Sequence, residues 1–202
     1  MRIKICGLCR IQDIDLINEL PVWAVGFNCY SESPRYVPPA TLVQLRQRLR
    51  PGILGVGVFV DATETADIAA LQTLAKLDAV QLHGHESPEF CRKLSGPLIK
   101  SFTLDPDLPA PDWQAYQDCV EYLLVDAAHP KLRGGTGSTI APAVLAQWRP
   151  ALPWILAGGV NPDNIAAFQQ RYQPFAMDVC SGVEYAPGQK DAAKLASLFS
   201  PC

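Results

Sequence analysis

Short β-branched runs alternate with longer amphipathic stretches along the whole chain, and this alternation limits the fold more than any other feature. The strand candidates are Arg2–Cys6, Trp23–Phe27, Leu54–Val60, Ala79–Leu82, Leu98–Phe102, Tyr122–Asp126, Trp154–Ala157 and Ala176–Val179. Helix-period segments lie between and after them at Ile11–Leu20, Thr41–Leu49, Thr65–Leu77, Pro88–Leu94, Pro142–Trp148, Asn164–Tyr172 and Ala192–Phe199, with a weaker one near Trp113–Cys119. Ser87-Pro88 and Asn161-Pro162 read as helix starts, a capping side chain followed by proline in the first turn. Strict strand–helix alternation means a parallel sheet. Eight units of roughly 25 residues can close into a (β/α)8 barrel or lie open as a doubly wound sheet. A strand at the very start of the chain favours closure. So do polar residues on the presumed inner face (Lys4, Gln81, His83, Asp126, Asp178), which helices would cover in an open sheet. Without a composition break or linker, the expectation is a single α/β domain, a (β/α)8 barrel over residues 1–202.

The 202 residues suffice for one large core, with 49% apolar and 18% charged residues. A net charge of −3 offers no basic field for nucleic acid or an anionic membrane. No apolar stretch is long enough to span a bilayer, and the apolar run after Arg2 is too short for a signal peptide, so a cytoplasmic protein is expected. Seven cysteines, an odd number in mostly apolar surroundings, read as buried free thiols rather than a disulfide framework. Nothing in the pattern separates a monomer from a homodimer.

The active site of such a barrel lies at the C-terminal ends of its strands. The first strand ends in Lys4-Ile5-Cys6-Gly7-Leu8, with Lys4 and Cys6 on one face and Ile3 and Ile5 on the other. Lys4 lies ~6–7 Å along the strand from Cys6, where a cation favours thiolate over thiol. The sixth strand ends in Asp126, nearly across the barrel, so Cys6 and Asp126 are acid–base candidates flanking a small substrate. The alternatives are a small buried hydrophobe for Cys6 and a loop cap for Asp126. Gly158-Gly159 and Ser181-Gly182 follow the seventh and eighth strands, with Gly134–Gly137 one unit earlier. Backbone N–H groups unshielded by a β-carbon there suit a phosphate, although each pair alone could be a tight turn. Asp178 pairs with Lys4 or binds a sugar hydroxyl. Arg35, after Pro34, meets a carboxylate, stacks on a ring or stays a solvated loop charge. Cys6-Gly7-Leu8-Cys9 also has the form of a thiol redox pair, or of half a zinc site for which His83 and His85 are the obvious further ligands.

In chain order, a longer set of segments resembles the phosphoribosylanthranilate isomerase family of tryptophan biosynthesis. They are Lys4–Leu8; Gly26-Phe27 with Ser33–Val37; Val56–Val60; Val80–Gly84; Asp126; Gly134–Gly137; Leu156–Val160; and Ser181–Glu184 with Pro187-Gly188 and Lys190-Asp191. The resemblance implies a (β/α)8 barrel and an Amadori rearrangement of an N-aryl phosphoribosylamine, with Cys6 as general base, Asp126 as general acid and no cofactor or metal. It implies substrate contacts from Lys4, Arg35, Gln81, His83 and Asp178. Phosphate contacts fall to Gly135, Gly158, Gly159, Ser181 and Gly182. The pattern departs from the family at Ser138–Pro142, at Asn28-Cys29 and at Cys180, where serine is common. The rivals are another phosphosugar barrel isomerase, such as the histidine-pathway one, and a non-catalytic thiol or zinc module on Cys6 and Cys9.

Overall fold

Strands β1 (Ile3–Cys6), β2 (Ala24–Asn28), β3 (Leu54–Phe59), β4 (Ala79–Leu82), β5 (Leu98–Leu104), β6 (Tyr122–Ala127), β7 (Trp154–Leu156) and β8 (Ala176–Val179) form a closed parallel barrel in the computed structural model. The structure describes residues 1–105, 109–127, 145, 148 and 150–199. The expected helix Pro142–Trp148 and the glycines Gly134–Gly137, Gly135 among them, lie outside that set apart from Leu145 and Trp148. Helices α1 (Ile11–Asn18), α2 (Pro39–Arg48), α3 (Thr65–Ala75) and α4 (Pro88–Cys91) follow the first four strands; Ile165–Tyr172 and Ala192–Ser197 follow β7 and β8. A 3-10 turn at Trp113–Tyr116 takes the place of the weak helix after β5.

Closure follows from what each strand face carries. Outward residues such as Ile3, Ile5, Phe27, Val80 and Val125 pack with Ile14, Ile17, Leu42, Leu45 and Ile68 from the helices into one buried layer. Full burial of each such side chain contributes about 1.5–3 kcal/mol. Inward residues form a second layer, Ala24, Val56, Ala79, Ile99, Leu124, Ile155 and Ala176, in which small alanines and branched side chains together fill the interior. Below them Trp23, Tyr122 and Phe175 meet edge-on or tilted, and the Arg2 guanidinium lies 4.3 Å from the Phe175 ring centroid.

The seam joining the two ends of the sheet pairs Lys4 with Ala24 on one side and with Asp178 on the other. Ser87 Oγ accepts from Phe90 N at 3.2 Å, so that cap is used as its sequence suggests. Asn161 instead caps a turn: its Oδ1 accepts from Asp163 N and Asn164 N, and the helix begins four residues on, at Ile165. Strand β5 runs two residues past its expected end because Thr103 and Leu104 pair with Asp126 and Ala127. A feature not anticipated is a small antiparallel hairpin after β8, β9 (Glu184–Ala186) and β10 (Gln189–Lys190), turning at Gly188 with φ +75°. Strands of three and two residues are too short for alternation to reveal. The six described cysteines are free thiols.

Candidate active site

Lys4 is completely buried inside the barrel, where a charge is tolerated only with a partner. Its Nζ lies 2.8 Å from Asp178 Oδ2, so of the two roles considered for Asp178 the structure contains the ion pair. Asp178 Oδ1 is buried with no hydrogen-bond partner, leaving an acceptor available to a ligand. Burial works against the Lys4 ammonium. The Asp178 carboxylate and the Cys6 thiolate outweigh it and hold the lysine above its ordinary pKa. The neighbouring strand makes room for both groups: a β-carbon on Gly26 would sit 2.6 Å from Cys6 Sγ and 3.1 Å from Lys4 Nζ.

Cys6 titrates low for a thiol, drawn from 9.0 to about 7. The first cause is the neighbouring Cys180 thiol; burial opposes it, and Lys4 and Lys190 reinforce it. Cys180 is held well above the ordinary thiol value, first by the Cys6 thiol and then by burial. The thiol that influences Cys6 is therefore Cys180, across the barrel seam. Cys9 faces elsewhere, with its Sγ 3.0 Å from Gly188 O, and burial raises its pKa. Among the described residues no three His, Cys, Asp or Glu side chains gather as metal ligands.

The unanticipated hairpin carries two buried charges back over the tips of β1 and β8. Lys190 Nζ donates to Cys6 O at 2.6 Å, to Cys180 O at 3.1 Å and to Glu184 Oε1 at 2.9 Å, tying both strand ends to one ammonium. Glu184 also takes Arg35 in a fork, Nε at 3.0 Å from Oε1 and Nη2 at 2.7 Å from Oε2. Burial pushes the Glu184 carboxyl up, but Arg35 and Lys190 outweigh it and leave it below its ordinary value. Arg35 is thus a fixed, mostly buried cation at the rim, its Cδ 2.5 Å from where a β-carbon on Gly7 would lie. Nothing in the local sequence at Arg35 announces Glu184, which is 149 residues away.

Across the barrel, Asp126 and His83 sit on the inner face with His83 Nε2 3.7 Å from Asp126 Oδ2. Gln81 Nε2 lies 2.8 Å from His83 Nδ1 and 3.2 Å from Ser101 Oγ. With the amide nitrogen donating to Nδ1, the histidine proton belongs on Nε2, the nitrogen nearer Asp126. Between the two halves lie the tips of β7 and β8. Gly158 and Gly159 both have positive φ, +81° and +66°. Asn161 and Asn164 side-chain amides donate to Gly159 O at 3.2 and 2.8 Å, fixing that turn. Gly182 packs so closely on Val160 O that a β-carbon could not be accommodated, which brings the two glycine loops together as one surface. Ser181 begins the 3-10 turn that carries Gly182.

Residues 3–200 match the family described as N-(5'-phosphoribosyl)anthranilate (PRA) isomerase. The chain belongs to the phosphoribosylanthranilate isomerase family. A family member from Gloeothece citriformis is 41% identical over 204 residues, covering 98% of this chain and 92% of its own. The crystal structure of the Thermus thermophilus isomerase superposes with a TM-score of 0.85 at 36% identity, covering 98% of this chain and 96% of that one. A further isomerase structure, in complex with reduced 1-(o-carboxyphenylamino)-1-deoxyribulose 5-phosphate, is 32% identical with a TM-score of 0.77, covering 98% and 96% of the two chains. Like these isomerases, the chain is a closed eight-stranded barrel. No helix among the described residues is long and apolar enough to cross a membrane.

Proposed function

We propose that this chain isomerises N-(5'-phosphoribosyl)anthranilate to 1-(2-carboxyphenylamino)-1-deoxyribulose 5-phosphate in tryptophan biosynthesis, with Cys6 as general base and Asp126 as general acid. The observation that carries the assignment is the placement of the Cys6 thiol: it sits at the tip of β1 beside the buried Lys4–Asp178 ion pair, in the same barrel mouth as the Asp126 carboxyl at the tip of β6, and its pKa is lowered. Asp126 gives its proton to the ribose ring oxygen, the C1–O bond opens, and the anilino nitrogen carries the charge as an iminium. The Cys6 thiolate then takes the proton from C2, leaving an enolamine. Protonation at C1 and loss of the 2-hydroxyl proton complete the ketone, so substrate and product are isomers. The substrate nitrogen is the electron sink, and the steps require no metal or organic cofactor.

The other contacts follow from the same pose. The glycine loops at 158–159 and 181–182 hold the 5'-phosphate through backbone N–H groups, with Gly135 in the loop after β6 assigned to the same role. Asp178 Oδ1 accepts from a ribose hydroxyl while Oδ2 keeps Lys4. Arg35 spends Nε and Nη2 on Glu184, and its remaining guanidinium edge takes the anthranilate carboxylate. Gln81 and His83 border Asp126 and the sugar. The reading serves a monomer or a homodimer, and its proposed setting is the cytoplasm. The test is turnover by the purified protein, followed as loss of phosphoribosylanthranilate fluorescence. Failure to consume that substrate would overturn the reading.

A further inference from the structure

Glu184 is a buried carboxylate that no reaction step uses, yet both of its oxygens are fully engaged. Oε1 accepts from Arg35 Nε at 3.0 Å, Gly188 N at 3.1 Å and Lys190 Nζ at 2.9 Å. Oε2 accepts from Arg35 Nη2 at 2.7 Å and from Nε at 3.2 Å. Those donors come from two separate elements, the loop after β2 and the hairpin after β8, and each is also anchored elsewhere. Arg35 N donates to Ser33 Oγ at 3.1 Å, and Asn28 Nδ2 donates to the same oxygen at 3.0 Å, so the backbone beneath the arginine is held. Lys190 Nζ reaches Cys6 O and Cys180 O. The Arg35 stem crosses the tip of β1: a β-carbon on Gly7, the residue after the base, would lie 2.5 Å from its Cδ and 3.3 Å from its Nε. Of the three guanidinium nitrogens, Nη1 has no hydrogen-bond partner among the described residues.

We propose that Glu184 is a positioning residue that sets selectivity for a carboxylated ring: by clamping the Nε–Nη2 edge of Arg35 it leaves the Nη1 edge, and only that edge, to the substrate. The proposal rests on the isomerase reading. In that substrate the carboxylate is joined through the ring and the anilino nitrogen to C1, the neighbour of the carbon that Cys6 deprotonates. A cation held across the β1 tip therefore meets the carboxylate when C2 meets the thiolate. An unclamped arginine would surrender rotamer freedom on binding, whereas Glu184 has already removed it. A guanidinium with one edge occupied still offers a flat pair of N–H groups that matches a planar carboxylate. The clamp has a second end. Lys190 ties the same Glu184 oxygen to the Cys6 backbone, so the ring site and the base share one frame.

The experiment measures dissociation constants of two probes by titration calorimetry: reduced 1-(o-carboxyphenylamino)-1-deoxyribulose 5-phosphate and the same compound without its carboxyl group. Glu184→Gln keeps the shape and an acceptor for Lys190 but loses the charged fork. It should weaken the carboxylated probe about 10–100-fold, the range of a charge-assisted contact, and the other probe by less than about twofold. Arg35→Ala should cost the carboxylated probe at least as much. In that background Glu184→Gln should change nothing further, because one residue acts through the other. In turnover KM should rise, with kcat falling less, since the carboxylate is unchanged by the reaction. Should Glu184→Gln not fold, Glu184→Asp, which keeps the charge beside Lys190 but is a methylene short of the arginine, must show the same selective loss. Equal loss for both probes, as a merely structural carboxylate would give, overturns the proposal. So does an unchanged ratio, a further loss in the double variant, or a loss carried by kcat alone. A parent protein that binds neither probe overturns the isomerase reading itself. One that binds both, with a ratio indifferent to Glu184, overturns only the clamp.

Discussion

Two pairs of neighbouring cysteines among the described residues differ in how their thiols titrate. At the barrel seam the Cys180 thiol, together with Lys4 and Lys190, draws Cys6 down to about 7. On the outside of the barrel Cys91, at the end of α4, neighbours Cys119, whose Sγ lies 3.5 Å from Tyr116 O after the 3-10 turn. There burial dominates: the Cys91 thiol is pushed up to about 12, and Cys119 also rises. The seam has two buried ammonium groups, Lys4 and Lys190, that favour the Cys6 thiolate, whereas around the outer pair burial outweighs what Lys100 does for Cys91 and Arg92 for Cys119, with Glu86 and Asp118 adding to the rise. Cations lower a buried cysteine pKa only where they outweigh the cost of burial.

Four measurements bear on that contrast. The largest effect is on catalysis: Cys6→Ala should lower kcat by about 10²–10⁴ with a modest change in KM, and Asp126→Asn should do the same. Near wild-type turnover in either variant would end that residue's assignment. Alkylation at pH 7 comes next. Cys6 is partly thiolate there and Cys91 almost wholly thiol, so Cys6 should react roughly a thousandfold faster by peptide mass spectrometry; comparable rates would erase the contrast. The sign with pH follows from a lowered pKa: activity that needs the thiolate is held above about pH 7 and lost as pH falls through it.

Third, Lys4→Met removes the cation and strands the buried Asp178, at a cost of about 3–5 kcal/mol by denaturant unfolding. A loss below about 1 kcal/mol, the range of exposed pairs, would mean the ion pair is solvated. The smallest effect is at Cys9, whose thiol meets only the hairpin carbonyl: Cys9→Ser should keep turnover within about twofold, as expected for a substitution away from the chemistry. A large loss there would return Cys9 to the catalytic centre.

These regions were not equally readable beforehand. Period-two and period-3.6 patterns are local, so the strands came through to within two residues at each end, and the inner-face alternation already grouped Lys4, Gln81, His83, Asp126 and Asp178. The Lys4–Asp178 pair was legible too, because closing a barrel makes its first and last strands neighbours. The neighbouring thiol of Cys6 was harder. The nearby Cys9 has the more familiar spacing, while Cys180 is found only by carrying the seam register one residue further. The Arg35–Glu184–Lys190 cluster was not legible, since it depends on a hairpin whose two strands total five residues and that no periodicity marks. Lys100 was missed for a related reason. It points out of the barrel yet is buried, with Nζ on Gly84 O at 2.6 Å and on Glu86 at 3.1 Å, a pairing set by the loop after β4.

The seam also sets an order of assembly. Lys4 and its counter-ion lie 174 positions apart, so the ammonium on the first strand has no buried partner until the eighth strand is in place beside it. Contacts of such sequence separation are slow to form. Closing the ring and completing the setting of the cysteine are therefore linked: without the eighth strand and the hairpin that follows it, the thiol keeps Lys4 and Gly26 but lacks Asp178, Cys180 and Lys190.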